Sequence, residues 1–166
     1  MELSNFFNNI SSYLAVFFTA MTPIGELRAS IPLALGVYNM NIFLAYAISI
    51  AGNIIPAIVI IWILEPLSKF LMKKFKLANR FFNWLFDRTR RKYTKKFKKY
   101  TGYALVAFVG IPLPITGAWT GALIAFVFGI PPKKALLHIF YGILLSGTIV
   151  TIICKTVGYV KFITVG

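Results

Sequence analysis

Residues 42–64 run for 23 positions without a charged side chain. At about 1.5 Å per residue, a helix of that length crosses the roughly 30 Å hydrocarbon core of a bilayer. A second uncharged run, residues 135–154, is 20 residues long and meets the same requirement. The 166-residue chain is 58% hydrophobic and 16% aromatic, with a mean hydropathy of +0.78. Two such runs in that composition predict one all-α integral membrane domain, not a soluble fold. Residues 1–9 carry Glu2 and no basic side chain, and no small-x-small site follows, so a cleaved signal peptide is not expected. Cys154 is the only cysteine, which excludes an internal disulfide and leaves the redox compartment open.

The net charge of +14 is concentrated: 13 of the 18 Lys and Arg fall between Lys69 and Lys99, opposed there only by Asp87. The positive-inside rule puts this segment on the cytoplasmic side of the cell membrane. Apolar residues recur within it at Leu71, Phe75, Ala78, Phe82 and Leu85, then at Tyr93, Phe97 and Tyr100, in steps of four and three that share one helical stripe. An amphipathic connector lying on the anionic inner leaflet follows, its rings in the interface and its basic heads toward phosphates. Orientation accounts for the charge, so nucleic acid is not an expected partner.

Lys133 and Lys134 form a second basic cluster. Placing both clusters inside requires an even number of crossings in the roughly 30 residues between them, too few for two full spans. Pro112 and Pro114, with Gly110 and Gly117 nearby, stand where the chain must turn. The expectation is a re-entrant hairpin, residues 101–111 descending and 116–129 returning. Such broken backbone is tolerated at membrane depth only where protein or a water-filled cavity satisfies it. The first half repeats the plan: residues 6–21 descend, a break runs from Pro23 to Pro32, residues 33–37 return, and 42–64 span. Pro23-Ile24 matches Pro114-Ile115, Gly36 matches Gly129, and Gly52-Asn53-Ile54-Ile55 matches Gly147-Thr148-Ile149-Val150. The fold expected is two inverted repeats, each a re-entrant helical hairpin plus a transmembrane helix. Residues 1–64 form the first, 65–100 the connector and 101–166 the second.

Glu26 and Arg28 are the charges embedded in the first hairpin. An intramembrane charge costs roughly 2.5–3.5 kcal/mol on insertion scales and marks a working site by default. Two positions apart, they diverge on a regular helix, so either the segment is unwound or each has a partner elsewhere. The helix after Pro114 presents free N–H groups near Thr116 and Gly117, with the hydroxyls of Thr116 and Thr120. Arg28 together with that helix end makes an anion site suited to phosphate. Glu26 is then the titratable partner, and the competition between its carboxylate and a substrate anion couples transport to protons. A bland reading stands beside it, a buried ionic lock between the hairpins that never meets substrate. Gly117/Gly121 and Gly25/Ala29 read as close helix packing. Trp119 suits either ligand stacking or a packed crossing. Asn53, beside Pro56, reads as a kink cap or cross-helix bond. His138 has no companions for a metal site, and no nucleophile–base pair argues for an enzyme.

PIGELRASIP, then a Gly-Asn-containing span, then KKYTGYALVAFVGIPLPITGAWTGALIA, together resemble the putative small multidrug export proteins, which look like distant members of the DedA/VTT superfamily. The resemblance covers nearly the whole chain. It implies a compact membrane protein with re-entrant hairpins in inverted repeat that moves polyprenyl phosphate or phospholipid, with Glu26 and Arg28 at the matching acidic and arginine positions. The expected function is therefore transport of an anionic lipid or lipid-carrier phosphate, proton-coupled and without a cofactor. A cationic-drug or small-molecule exporter and a non-transporting membrane scaffold are the alternatives. The small size favours a homodimer.

Overall fold

The computed structural model describes residues 2–90, 95–113 and 116–165, and every regular element in them is helical. In chain order they are α1 (Glu2–Met21), α2 (Glu26–Pro32), a π-helical turn (Leu33–Val37), α3 (Ile42–Lys74), α4 (Lys76–Arg90), α5 (Lys95–Gly110), α6 (Ala118–Val127) and α7 (Pro132–Val165). Two helices, α3 and the first part of α7, are long and apolar enough to cross a bilayer. Phe43, Val59, Trp62 and Ile63 on α3 and Ile152 and Ile153 on α7 are exposed, an apolar surface that water does not tolerate over such an area. This is the surface of a membrane protein. The apolar parts of the other helices, Ile10–Met21, Tyr100–Gly110 and Ala118–Val127, reach only roughly 15–18 Å each, short of a span.

Local chemistry sets the ends. Asn41 caps α3 by accepting from Phe43 N (2.9 Å). At the far end Phe75 is extended and turns the chain into α4. α6 stops at Gly129, whose φ of 66° a glycine adopts without strain, and Ile130 N closes back on Ala125 O (2.9 Å). Pro131 and Pro132 follow, and α7 starts at Pro132.

The packing repeats across the two halves. α1 lies on α3, and α5 lies on α7, while each returning arm, α2 or α6, packs on both long helices. Glycines set the closest approaches. A Cβ at Gly52 would overlap Phe17 O on α1, and one at Gly142 would sit 2.6 Å from Val109 Cβ on α5. Gly147 lies instead against the Tyr46 ring of α3, whose hydroxyl donates to Leu144 O (2.9 Å). Gly147 therefore does not do in the second half what Gly52 does in the first, contrary to the match of their sequence blocks. The larger of two buried clusters among the described residues joins both halves through Leu27, Ile31, Ile50, Leu105, Val109, Ile139 and Ile143.

Several boundaries differ from expectation. Pro32 does not break the first hairpin. The break is confined to residues 22–25, and α2 runs through Pro32. A π-helical turn follows the proline: Tyr38 N bonds Leu33 O (3.2 Å) at the five-residue spacing of that geometry, and Met40 N reaches one residue further, to Ala34 O (2.9 Å). The returning arm thus begins at Glu26, not at Leu33. α3 continues to Lys74 through Pro56 and Pro66, and α5 begins at Lys95, so helices reach from the bundle into the connector. Asn53 is buried, yet its Oδ1 makes neither the expected cap nor a cross-helix bond. Pro114 and Tyr93 lie outside the described residues.

Candidate functional site

The two breaks meet. Pro23 and Gly25 lie in the first, residues 22–25; Pro112 and Leu113 lie in the second, between α5 and α6. Glu26 opens α2 with φ 46°, a left-handed conformation costing a non-glycine residue on the order of 1 kcal/mol. Such strain persists where surrounding contacts hold it, and here Glu26 is buried, 4% exposed. The carboxylate lies at the N-terminus of α6, where Trp119 N donates to Oε1 (3.4 Å) and Ala118 N also faces it. Unpaired N–H groups and the positive end of the helix dipole make that a natural seat for an anion.

Gly117 makes the seat possible. Its φ of 144° with ψ −169° belongs to a region that L side chains rarely adopt, and a Cβ there would overlap the Glu26 carboxylate. Arg28 is held from the same side. Its Nη1 donates to Leu113 O and its Nη2 to Thr116 O, the carbonyls of the second break, while Nη2 stands 3.8 Å from Glu26 Oε2. Trp119 adds a third tie, its indole N–H donating to Met21 O (3.1 Å) at the end of α1. One hairpin supplies both charges and the other supplies backbone donors and acceptors to receive them.

The site is nevertheless not sealed. The Arg28 side chain is 26% exposed, and Ile24 and Leu113 beside it are exposed, so the clasp sits at a rim that a ligand can approach.

Most of the residues singled out by sequence therefore converge, with changed roles. The alternative that Glu26 and Arg28 each find a partner elsewhere holds, and they remain close to one another as well. The seat foreseen for a phosphate is filled by Glu26 itself. The Thr116 hydroxyl does not face that seat; it braces the loop, within 2.7 Å of Ile111 O, 2.8 Å of Leu113 O and 3.1 Å of Leu113 N. Thr120 is half-buried within α6. Of the two small-residue steps, Gly121 does mark a close helix crossing, since its Cβ would lie 2.5 Å from Val109 Cγ2 of α5. Gly117 instead receives the carboxylate. Gly25 sits in the break, against Thr22 of the break and Thr19 at the end of α1, with Ala29 one turn on. His138 fits into the space left by Gly102 and its Nδ1–H donates to Lys134 O (2.6 Å). Among the described residues no three His, Cys, Asp or Glu gather as metal ligands.

Two apolar spanning-length helices and a buried charge clasp between paired helix breaks define a helical membrane protein with a buried polar site between its helices. A family model described as "Putative small multi-drug export protein" matches residues 26–149, about three quarters of the chain, and the chain belongs to that family. The description assigns the family an export role. No curated protein and no solved structure matches the chain.

Proposed function

We propose that this protein is a transporter of an anionic lipid or lipid-carrier phosphate, gated by two re-entrant hairpins of an inverted repeat whose tips form the clasp. The observation that carries the reading is the seat at α6: backbone N–H groups, a helix N-terminus and an adjacent guanidinium surround one carboxylate. A phosphate has the charge and the acceptor oxygens to compete for both the N–H groups and Arg28. When it enters, the Glu26 carboxylate leaves the seat and takes up a proton; when it departs, Glu26 returns ionised. Cargo movement is coupled to protons by that exchange. The matched packing of α1 on α3 and α5 on α7 supports the repeat. Kinship to the DedA/VTT superfamily rests on the sequence resemblance alone. The positive-inside rule places the basic connector on the cytoplasmic face of the cell membrane.

The family description favours a second reading, export of small organic cations, with Glu26 as their counter-ion. Proteoliposome translocation of a labelled polyprenyl phosphate over a pH range separates the two, using Arg28→Ala and Glu26→Gln variants shown to be folded. Loss of transport in Arg28→Ala is the result expected. Failure of folded wild type to move the lipid, together with uptake of a fluorescent organic cation that Glu26→Gln abolishes, would replace the first reading by the second.

A further inference from the structure

The connector presents two apolar faces, not one. Ala78, Phe82, Leu85 and Phe86 on α4 are half-buried, and Phe86 stacks edge-on against Phe126 of α6 with ring centroids 5.6 Å apart. Ala78, Phe82 and Leu85 belong to the stripe visible in the sequence and are turned toward the protein, whereas Phe75 and Tyr100 of that stripe are exposed. Leu77, Phe81 and Trp84 recur at steps of four and three on a different side of the helix and are 84%, 55% and 53% exposed. The inner end of α3 continues the pattern with exposed Leu67 and Phe70, and Phe75 at the corner is exposed too.

Basic side chains frame this second face. Lys69, Lys73, Lys74, Lys76, Arg80 and Arg88 are exposed, against exposed Glu65 and Asp87. Arg88 lies over the Trp84 ring at 5.3 Å, and Lys74 lies over Phe70 at 5.7 Å, so the cations travel with the rings. Depth is fixed by the other side of α4. Phe86 and Phe126 line one cavity of about 400 Å³ with Ile61 and Glu65, where the uncharged part of α3 ends. The helix is therefore anchored at the edge of the apolar zone, not out in water.

We propose that the face formed by Leu67, Phe70, Leu77, Phe81 and Trp84 docks on an anionic lipid surface, with its rings and aliphatic chains below the headgroups and the flanking Lys and Arg on the lipid phosphates. Charge selects this occupant over a second copy of the chain, because pairing two such faces brings like charges together, whereas an anionic leaflet neutralises them. The inference is independent of the cargo.

The test uses the full chain with Cys154→Ser and a single spin label at Leu77→Cys, Phe81→Cys or Trp84→Cys, and at Asn83→Cys on the polar arc as a control. In vesicles containing phosphatidylglycerol the first three labels should be accessible to oxygen and shielded from a water-soluble nickel chelate, and the Asn83 label the reverse. Removing Lys76 and Arg80 by substitution with Gln should weaken lipid contact by about fivefold per charge. Nickel access to the three labels in anionic vesicles overturns the proposal. So does dipolar broadening between labels on different copies, which would make the face a protein–protein contact.

Discussion

The two helix breaks solve the same problem by opposite means. Backbone groups released where a helix breaks inside a packed bundle must find partners within the protein. The first break is short and closes on itself: Gly25 N bonds the Thr22 hydroxyl (3.1 Å), Glu26 N bonds Thr22 O (3.2 Å) and Ala29 N bonds Gly25 O (3.0 Å). Its two charged side chains are left over. The second break carries no charge and is wider. The carbonyls of Leu113 and Thr116 receive Arg28, and the N–H groups at the start of α6 receive Glu26. Both breaks bond internally, the second through Thr116, but only the second also receives the charged side chains of the other. The clasp is at once a structural joint and, under the proposed function, the point at which cargo loosens it.

Arg28→Ala should have the largest effect. It takes a charged donor from two carbonyls, of which Leu113 O keeps the Thr116 N–H and hydroxyl, and leaves a buried carboxylate without its cation; breaking a buried pair costs about 3–5 kcal/mol. Thermal unfolding in mild detergent should show it as a large fall in Tm. Hydrogen exchange should locate it: the amides of Ile111, Leu113 and residues 116–119 should exchange faster, while those of Thr22, Ile24 and Gly25 change little. Faster exchange confined to the first break would invert the comparison. Glu26→Gln keeps the shape and some hydrogen bonding, and should cost less than Arg28→Ala.

Gly117→Ala comes next, at about 2 kcal/mol, because a side chain there is strained by φ and also displaces the carboxylate. The two contributions separate in a double-mutant cycle. In a Glu26→Ala background the overlap disappears and only the backbone strain remains, so the second substitution should cost less than it does alone. Equal costs in both backgrounds would mean that Gly117 is required for the turn alone.

Much of this was readable in the sequence, and the failures have physical causes. Spanning helices were legible because length and missing charge suffice. Glu26 and Arg28 were legible because charge is scarce in such segments, and the second break because prolines and glycines cluster there. Pro32 misled because a proline at the end of a short helix need not stop the chain, and Leu33 N still bonds back to Ala29 O and Ser30 O. What filled the helix end was not legible: sequence names an anion seat but not its occupant, which depends on the left-handed turn at Glu26. The outer face of α4 was missed although Leu77, Phe81 and Trp84 have the same spacing as the stripe that was read. Two apolar sets fit one helix, and only tertiary contact shows which is covered.

Trp119→Phe tests the smaller tie between the hairpins. It keeps the ring and deletes one neutral N–H donor to Met21 O, a loss of about 1 kcal/mol. Because the bond is made to the end of α1, its loss should raise exchange at the first break, the region that Arg28→Ala leaves quiet. Trp119→Phe without effect there would mean that the first break needs nothing from the second.

The finest contrast is between Gly36 and Gly129, which the sequence pairs as equivalent ends of the two returning arms. Gly129 sits at φ 66°, so Gly129→Ala should destabilise by about 1 kcal/mol. Gly36 lies within the π-helical turn, is not among the positive-φ residues, and has open space where a Cβ would go. There alanine meets no contact and only narrows the unfolded chain, so Gly36→Ala should stabilise by about 0.5 kcal/mol. Opposite signs in paired Tm measurements would show that the two arms end by different mechanisms, one stopped by a left-handed glycine and the other by a widened turn after Pro32. Equal losses would restore the equivalence that the sequence suggests, and would require Gly36 to hold a close contact from outside this chain, for which a second copy is the nearest source.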